Sequence, residues 1–171
     1  MEQLLGIAQQ FMSAQSHDQE ETVSKAAQAG NPDDEHLYRQ ASEHVASHTE
    51  QHRPPSDEEA QAAKDAHAQI YKQGNNDNDS LQSMGADAVG GAVATQAIQA
   101  FLGSGGGNTN DLMAFAMKEA SSLLGGNADP GFKGMVMQKA AMMVFKSQLS
   151  GGGGGGAMSM VSAHTCLRDR G

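Results

Sequence analysis

Apolar positions recur at helical spacing along most of this chain, and they concentrate between Met84 and Leu149. In that stretch they form three segments separated by glycine, and Phe101-Leu102-Gly103 is followed 22 residues later by Leu123-Leu124-Gly125. This pattern predicts three helices related as a degenerate repeat. No segment alternates apolar and polar residues with period two, so no sheet is predicted.

The first of these helices is expected over about residues 80–102. Three glycines fall inside it, Gly85, Gly90 and Gly91. Each costs up to about 1 kcal/mol relative to alanine in a helix interior. They are tolerable where another helix packs closely against them.

The second and third helices have predicted caps and inward faces. The second is expected to be capped by Asn110 or Asp111 and to run to Leu124, and the third to follow Asp129-Pro130. The predicted inward residues are Leu112, Met113, Ala116, Ala120, Leu123 and Leu124 on the second helix, and Phe132, Met135, Val136, Ala140, Met143 and Val144 on the third.

The first half of the chain predicts two further helices. Asn31-Pro32-Asp33-Asp34-Glu35 is a helix start, because asparagine caps, proline suits the first turn and acids favour the positive end of the helix dipole. This helix should run to about His52, where Arg53-Pro54-Pro55 stops it. Ser56-Asp57-Glu58-Glu59 is a capping box that begins a helix to Gln73.

The ends of the chain have a different character. Residues 2–16 place apolar side chains on one helical face, whereas residues 18–29 are polar and predict a weak helix or none. Residues 151–156 are six consecutive glycines, which are typical of a flexible tether. The apolar stripe of residues 2–16 comprises Leu4, Leu5, Ala8, Phe11 and Met12.

The predicted fold is therefore all-α, an irregular bundle of about five to six helices with Gly-rich loops, disordered ends and no sheet. Four segments are expected: an amphipathic and polar segment at 1–30, an acidic His-rich helical pair at 31–74, a Gly/Ala/Met-rich helical core at 80–150, and a flexible tail at 151–171.

Charge and composition narrow the classes of function. The net charge is −9, and residues 1–80 hold 15 acidic against 5 basic side chains, which argues against a nucleic-acid partner. The single cysteine, Cys166, excludes an intramolecular disulfide and fits a reducing compartment. Neither a signal peptide nor a membrane span is evident, so a soluble cytoplasmic or nuclear protein is expected.

Histidines are the most suggestive chemical feature. His44, His48 and His52 lie four residues apart on one predicted helix, and imidazoles one turn apart can chelate zinc, nickel or copper. A site at His44 and His48, or at His48 and His52, is the metal hypothesis, and no other cofactor is expected. The alternatives are that these histidines are solvated residues on a polar helix, or that they sense pH.

Other motifs are incomplete. Asn75, Asp77 and Asp79 match only the first positions of a calcium loop. The glycine run at 103–107 follows a helix and lacks the lysine of a phosphate loop. Cys166 lies beyond the polyglycine, where a catalytic group cannot be held in place. Enzymatic activity is therefore disfavoured.

Methionine is abundant, with nine of eleven residues after position 80. Methionine fills irregular gaps in cores and also recurs at adaptable interaction surfaces. The residues predicted to form the core or an interface with a protein partner or a second copy are Met113, Met117, Met135, Met142 and Met143.

Four stretches carry a family resemblance: the opening from Met1 to Phe11, Ala66 to Tyr71, Gln96 to Phe101 before glycines, and polyglycine after Lys146-Ser147-Gln148. Together they resemble a family of small glycine-rich fungal proteins, some labelled "beta-flanking protein", whose shared domain has no assigned function. The resemblance implies fungal origin and offers no catalytic residues. The tail after Ala157 departs from the family's usual short apolar helix.

These patterns favour a non-catalytic, soluble intracellular protein that acts as a protein-interaction or self-association module. A His-rich metal buffer or sensor is the first alternative, and an enzyme of unknown type is the second.

Overall fold

The structure is a computed structural model that describes residues 18–48 and 53–151, and within them it contains seven helices and no strand. The all-α prediction is confirmed. In chain order the helices are α1 (18–29), α2 (Glu35–Ser47) after a 3₁₀ turn at Pro32–Asp34, α3 (Asp57–His67) continued by a π turn at Ala68–Lys72, α4 (Asn78–Met84), α5 (Ala86–Gly103), α6 (Thr109–Leu124) and α7 (Pro130–Gly151).

The predicted count of five to six helices was too low, for two reasons. Gly85 adopts a φ of 85°, which breaks the helix predicted over residues 80–102 into α4 and α5. Residues 18–29, predicted as a weak helix or none, form α1 because Thr22, Val23 and Ala26 are buried against the other helices. Tertiary packing here outweighs a weak local preference.

Two helices lie at the centre of the bundle. α7 packs against α2, α5 and α6, and α5 also packs against α3 and α6. One apolar cluster draws residues from all seven helices, including Val23 of α1, Leu37 of α2 and Ala66 of α3. The acidic pair α2 and α3 therefore shares one core with the glycine-rich helices.

Gly90 and Gly91 permit the close contacts of α5. A Cβ atom on Gly90 would lie 2.5 Å from Cβ of Lys139 and 3.1 Å from the backbone nitrogen of Ala140, both on α7. On Gly91 it would lie 3.0 Å from Cβ of Ala63 on α3. Each of these glycines therefore has a closely packed helix beside it, α7 beside Gly90 and α3 beside Gly91, as expected from the sequence.

Helix ends follow the predicted chemistry with two corrections. The capping box of Ser56 and Glu59 is present at the start of α3, and Asp129 Oδ1 accepts from the Phe132 backbone N–H at 2.8 Å at the start of α7. α6 is capped by Asn108, not by Asn110 or Asp111. Asp111 instead completes a capping box, since each side chain of the pair accepts from the other's backbone N–H.

The second correction concerns α2, which ends at Ser47 rather than near His52. The α2 backbone leaves helical geometry at His48, whose N–H still bonds to the His44 carbonyl oxygen at 3.1 Å. The predictions for residues 2–16 and for the tail beyond residue 151 lie outside the described residues.

Candidate functional site

An open groove of about 540 Å³ lies between α1 and the beginning of α2. Its apolar positions are contributed by valine, alanine and proline, and its rim is polar and charged. The rim includes an ion pair of 3.1 Å between Arg39 Nη2 and Glu35 Oε1. The lining residues are Glu20, Val23, Ser24, Ala27, Gln28, Pro32, Glu35 and Arg39. Apolar positions beside a charged rim suit an amphipathic helix.

The junction between α1 and α2 fixes the angle between the groove walls. The Asn31 backbone N–H donates to Tyr38 Oη at 3.1 Å, and Tyr38 is fully buried. Gly30 is required beside it, because a Cβ atom there would lie 2.6 Å from Tyr38 Oη. Burial raises the pKa of the Tyr38 phenol, so the hydroxyl stays neutral and bonded at physiological pH.

A buried polar cluster stabilises the same junction between α1 and α2. Lys133 Nζ lies 2.5 Å from Asp34 Oδ2, and the Ser121 hydroxyl donates to the same carboxylate oxygen at 2.5 Å. Lys133 also donates to the carbonyl oxygen of Gly125 at 3.1 Å. The cluster therefore joins the start of α2, the end of α6 and the first turns of α7.

The charges of this cluster match the helix ends that they touch. Asp34 is an anion at the positive N-terminal end of α2, and Lys133 is a cation at the negative C-terminal end of α6. Ser121 donates its hydrogen bond to the same carboxylate oxygen that pairs with Lys133, so one carboxylate holds both side chains. The arrangement works chemically as a clamp between three helix ends.

A second depression, of about 340 Å³, opens beside this clamp. It lies between the end of α1 and the end of α6. Its lining consists mainly of glycine, serine and backbone, namely Ala29, Gly30, Asn31, Lys118, Ser121, Ser122, Gly125 and Gly126.

α1 is also tied to α6 by charge. Lys25 pairs with Asp111 of α6 and lies 2.5 Å from Glu21 of its own helix. The hydrogen bond with Asp111 raises the pKa of Lys25, and the same bond lowers the pKa of Asp111. Since Asp111 also completes the capping box of α6 with Asn108, one carboxylate positions both the helix end and the α1 wall of the groove.

On the other side of the bundle, α3 is fixed by polar contacts to α7 and α5. Lys146 Nζ of α7 lies 2.6 Å from Glu59 Oε1, and Lys146 is buried. The bond from Lys146, helped by the Ser56 backbone N–H, lowers the pKa of Glu59 to about 2. His67, also buried, is 2.8 Å from the Gln96 side-chain oxygen of α5.

Two of the three predicted metal ligands are brought together. The ring centroids of His44 and His48 lie 3.9 Å apart with 33° between the ring planes, and both residues are half-buried. His52 falls outside the described residues. Within residues 18–48 and 53–151, no group of three or more histidine, cysteine or acidic side chains is placed to hold a metal ion.

The predicted methionines lie mainly in the interior. Met113, Met117 and Met142 are buried and Met143 is half-buried, whereas Met135 is 49% exposed. The inward orientation predicted for Met135 was wrong. α7 is surrounded by α2, α5 and α6, so three of its sides are covered and an amphipathic pattern cannot locate the remaining exposed strip. Of the five, Met135 is the one whose side chain is classed as exposed and is accessible for contact.

The incomplete motifs have local structural roles or lie elsewhere. Asp77, from the calcium-like run, caps α4, because its Oδ1 accepts from the Ser80 backbone N–H at 2.9 Å. Cys166 lies outside the described residues. The groove lining was missed because residues 18–29 look too polar for a packed helix. Gly30-Asn31-Pro32 was the signal that a second helix begins directly after them.

The described residues form an all-helical domain with an open groove between α1 and α2, and the cluster of Asp34, Ser121 and Lys133 stabilises the junction beside that groove. The part of the chain that the structure describes holds no helix long and apolar enough to cross a bilayer. The chain belongs to the family defined by the domain of unknown function DUF7721, whose model matches residues 18–107, just over half of the sequence. No curated protein and no solved structure gave a match. The expectation of a shared domain without an assigned function is confirmed.

Proposed function

We propose that this chain is a non-catalytic protein-interaction module that associates with a second copy of itself. The groove between α1 and α2 carries the proposal, because it combines apolar positions with a polar rim on one accessible face. Its proposed occupant is the amphipathic stretch at residues 2–16 of the other copy.

The two surfaces are complementary in character. The stretch would place its leucines and Phe11 against Ala27 and Pro32, the accessible apolar residues of the groove. Its glutamines would meet the polar rim, where Glu35 and Arg39 supply an acceptor and a donor. The groove follows α1 from Glu20 to Gln28, a helical rise of roughly 12 Å, which accommodates two turns of a docked helix.

Chain length favours a second copy over the same copy as the source of the stretch. Only His17 separates residues 2–16 from Asp18, the first described residue of α1. Helices that reverse direction in a bundle are usually joined by about two to eight residues. Exchange between copies removes this constraint, and a reciprocal exchange fills two grooves in one dimer.

The proposal includes a soluble protein in a reducing intracellular compartment, cytoplasmic or nuclear, which suits a single cysteine. We also propose that the chain is a member of the fungal, glycine-rich group that it resembles. A role in association agrees with a family that offers no catalytic residues to carry over.

Size-exclusion chromatography with light scattering on the full chain tests the proposal. The unmodified chain should be a dimer, and Phe11→Asp should be a monomer because a charge enters the apolar stripe. Gln10→Asp, which adds the same charge on the polar face of the stretch, should remain a dimer.

The groove is tested in the same assay. Ala27→Arg should give a monomer, whereas Ala29→Arg, an exposed position on the same helix outside the groove, should not. Circular dichroism would verify that each variant is folded. A monomeric unmodified chain, or a dimer unaffected by both Phe11→Asp and Ala27→Arg, would refute the proposal.

A further inference from the structure

We propose that α1 is a movable wall of the groove, which opens from the bundle by local unfolding while α2 to α7 stay folded. α1 supplies Ser24 and Ala27 to the lining, opposite Glu35 and Arg39 of α2. When α1 opens, the face of α2 loses its opposite wall and the groove no longer exists. Control of docking by this movement rests on the proposed function, whereas the opening itself does not.

Few apolar contacts hold α1 in the bundle. Of the twelve residues 18–29 three are buried, namely Thr22, Val23 and Ala26, and none of them is larger than valine. By comparison, α6 buries eight of its sixteen residues. Stabilisation by burial grows with the apolar area removed from water, and a helix of about 12 residues is marginal on its own. A local opening of α1 therefore requires less free energy than unfolding of the core.

Polar contacts add little to the attachment of α1. The part of the chain that the structure describes holds one ion pair between an α1 side chain and another helix, that of Lys25 with Asp111 of α6. These side chains are 39% and 32% exposed, so water reaches the pair and its contribution is modest. The other side-chain hydrogen bonds of α1 stay within the helix, such as the one that Gln28 Nε2 donates to Ser24 Oγ at 2.9 Å.

Gly30 is the point at which α1 can separate from the rest of the chain. On its C-terminal side the Asn31 backbone N–H is bonded to buried Tyr38, and Asp34 is paired with buried Lys133. These contacts keep the start of α2 in place. Glycine has the widest backbone freedom of any residue, so rotation at Gly30 lets α1 move without α2.

Docking of a second copy should hold the movable wall closed. In the proposed dimer the stretch at residues 2–16 contacts Ala27 of α1 and Pro32 at the start of α2 together, so it binds the closed form. A ligand that binds one of two states shifts the population toward that state. Self-association should therefore protect α1 from opening, and opening of α1 should weaken self-association.

Amide hydrogen exchange of the full chain, followed residue by residue by NMR, tests the opening. The amides of residues 23–29 should exchange together and more than about 100-fold faster than the buried amides of α5 and α7, because local opening requires less free energy than global unfolding. Exchange of α1 at the rates of α5 and α7 would overturn the proposal.

Lys25→Met tests which contact holds α1 closed. The substitution keeps an apolar stem and removes the ion pair, so it should speed exchange in α1 by about two- to fivefold and change α5 and α7 by less than about twofold. Lys64→Met removes a lysine from an exposed position of α3 and should leave α1 unchanged. Equal effects of the two substitutions on α1 would show that the pair with Asp111 does not hold the wall.

Phe11→Asp separates control of docking from the opening itself. At a concentration about ten times the dimer Kd, α1 should exchange about threefold or more faster in this monomeric variant than in the unmodified chain. Gln10→Asp should match the unmodified chain. Equal α1 rates in Phe11→Asp and in a dimeric unmodified chain would overturn the control of docking. A monomeric unmodified chain would refute the proposed function, and the comparison of α1 with α5 and α7 would still decide the opening.

Discussion

Lys133 and Asp34 form a buried ion pair in which the two side chains are only 5% and 10% exposed and the charged atoms lie 2.5 Å apart. Ninety-nine positions separate them in sequence, and their contact joins α7 to the start of α2. The pair thereby supports the junction that shapes the groove.

Lys133→Met should strongly destabilise the fold, because it leaves the Asp34 carboxylate buried without its cation. Breaking one half of a buried pair typically costs about 3–5 kcal/mol. Urea denaturation followed by circular dichroism measures the free energy of unfolding. Lys139→Met serves as the control, since the Lys139 and Asp87 side chains are 44% and 84% exposed, and it should cost less than about 1 kcal/mol. Equal effects of the two substitutions would show that Lys133 is not buried with Asp34.

Gly90→Ala should destabilise the contact between α5 and α7. The added methyl group would lie 2.5 Å from Lys139 Cβ and 3.1 Å from two backbone atoms of α7, so the helices must move apart. Overpacking of this kind costs about 1–3 kcal/mol. In Gly103→Ala the new methyl group meets no atom within 4 Å, and the exchange should be neutral or slightly stabilising. Thermal unfolding of both variants compares them directly, and a stabilising Gly90→Ala would mean that α5 and α7 are farther apart.

The free energy of unfolding should fall in acid, and protonation of Glu59 should account for part of the loss. Its folded pKa is lowered to about 2 from an ordinary value of 4.5, chiefly by Lys146. A lowered pKa adds stability above about pH 4.5, and this contribution is lost as the pH falls toward 2. Glu59→Gln should therefore flatten the dependence of unfolding free energy on pH in that range. Glu58→Gln removes the same charge at an exposed neighbouring position and should preserve more of the slope. A steeper slope in Glu59→Gln would reverse the assigned sign.

The segment matched by the family model should not fold alone. Residues 18–107 include α5, but they lack α6 and α7, both of which pack against it. A fragment of residues 18–107 should show no cooperative thermal transition, whereas a fragment of residues 18–151 should show one. Calorimetry distinguishes these outcomes, and a cooperative transition in the shorter fragment would contradict the arrangement of the core.

The sequence was most informative where local chemistry decides the structure. Ser56 and Glu59 complete each other's backbone bonds within four residues, so their capping box was predictable without knowledge of the fold. The all-α class followed from helical spacing of apolar residues for the same reason.

Contacts between distant segments were not predictable in this way. Nothing local connects Asp34 with Lys133, and both are charged residues that a sequence pattern assigns to the surface. Met135 has the same spacing as buried neighbours, and only the positions of α2, α5 and α6 around α7 leave it exposed. The groove was missed for a different reason, since residues 18–29 look too polar for the packed helix that forms one of its walls.

A mixing experiment tests the proposed association most directly. Phe11→Asp keeps an intact groove, and Ala27→Arg keeps an intact apolar stretch, so a mixed dimer retains one complete contact. Light scattering should find each variant monomeric alone and a heterodimer in a concentrated equimolar mixture. If the mixture stays monomeric while the unmodified chain is a dimer, the stretch of one copy does not occupy the groove of the other.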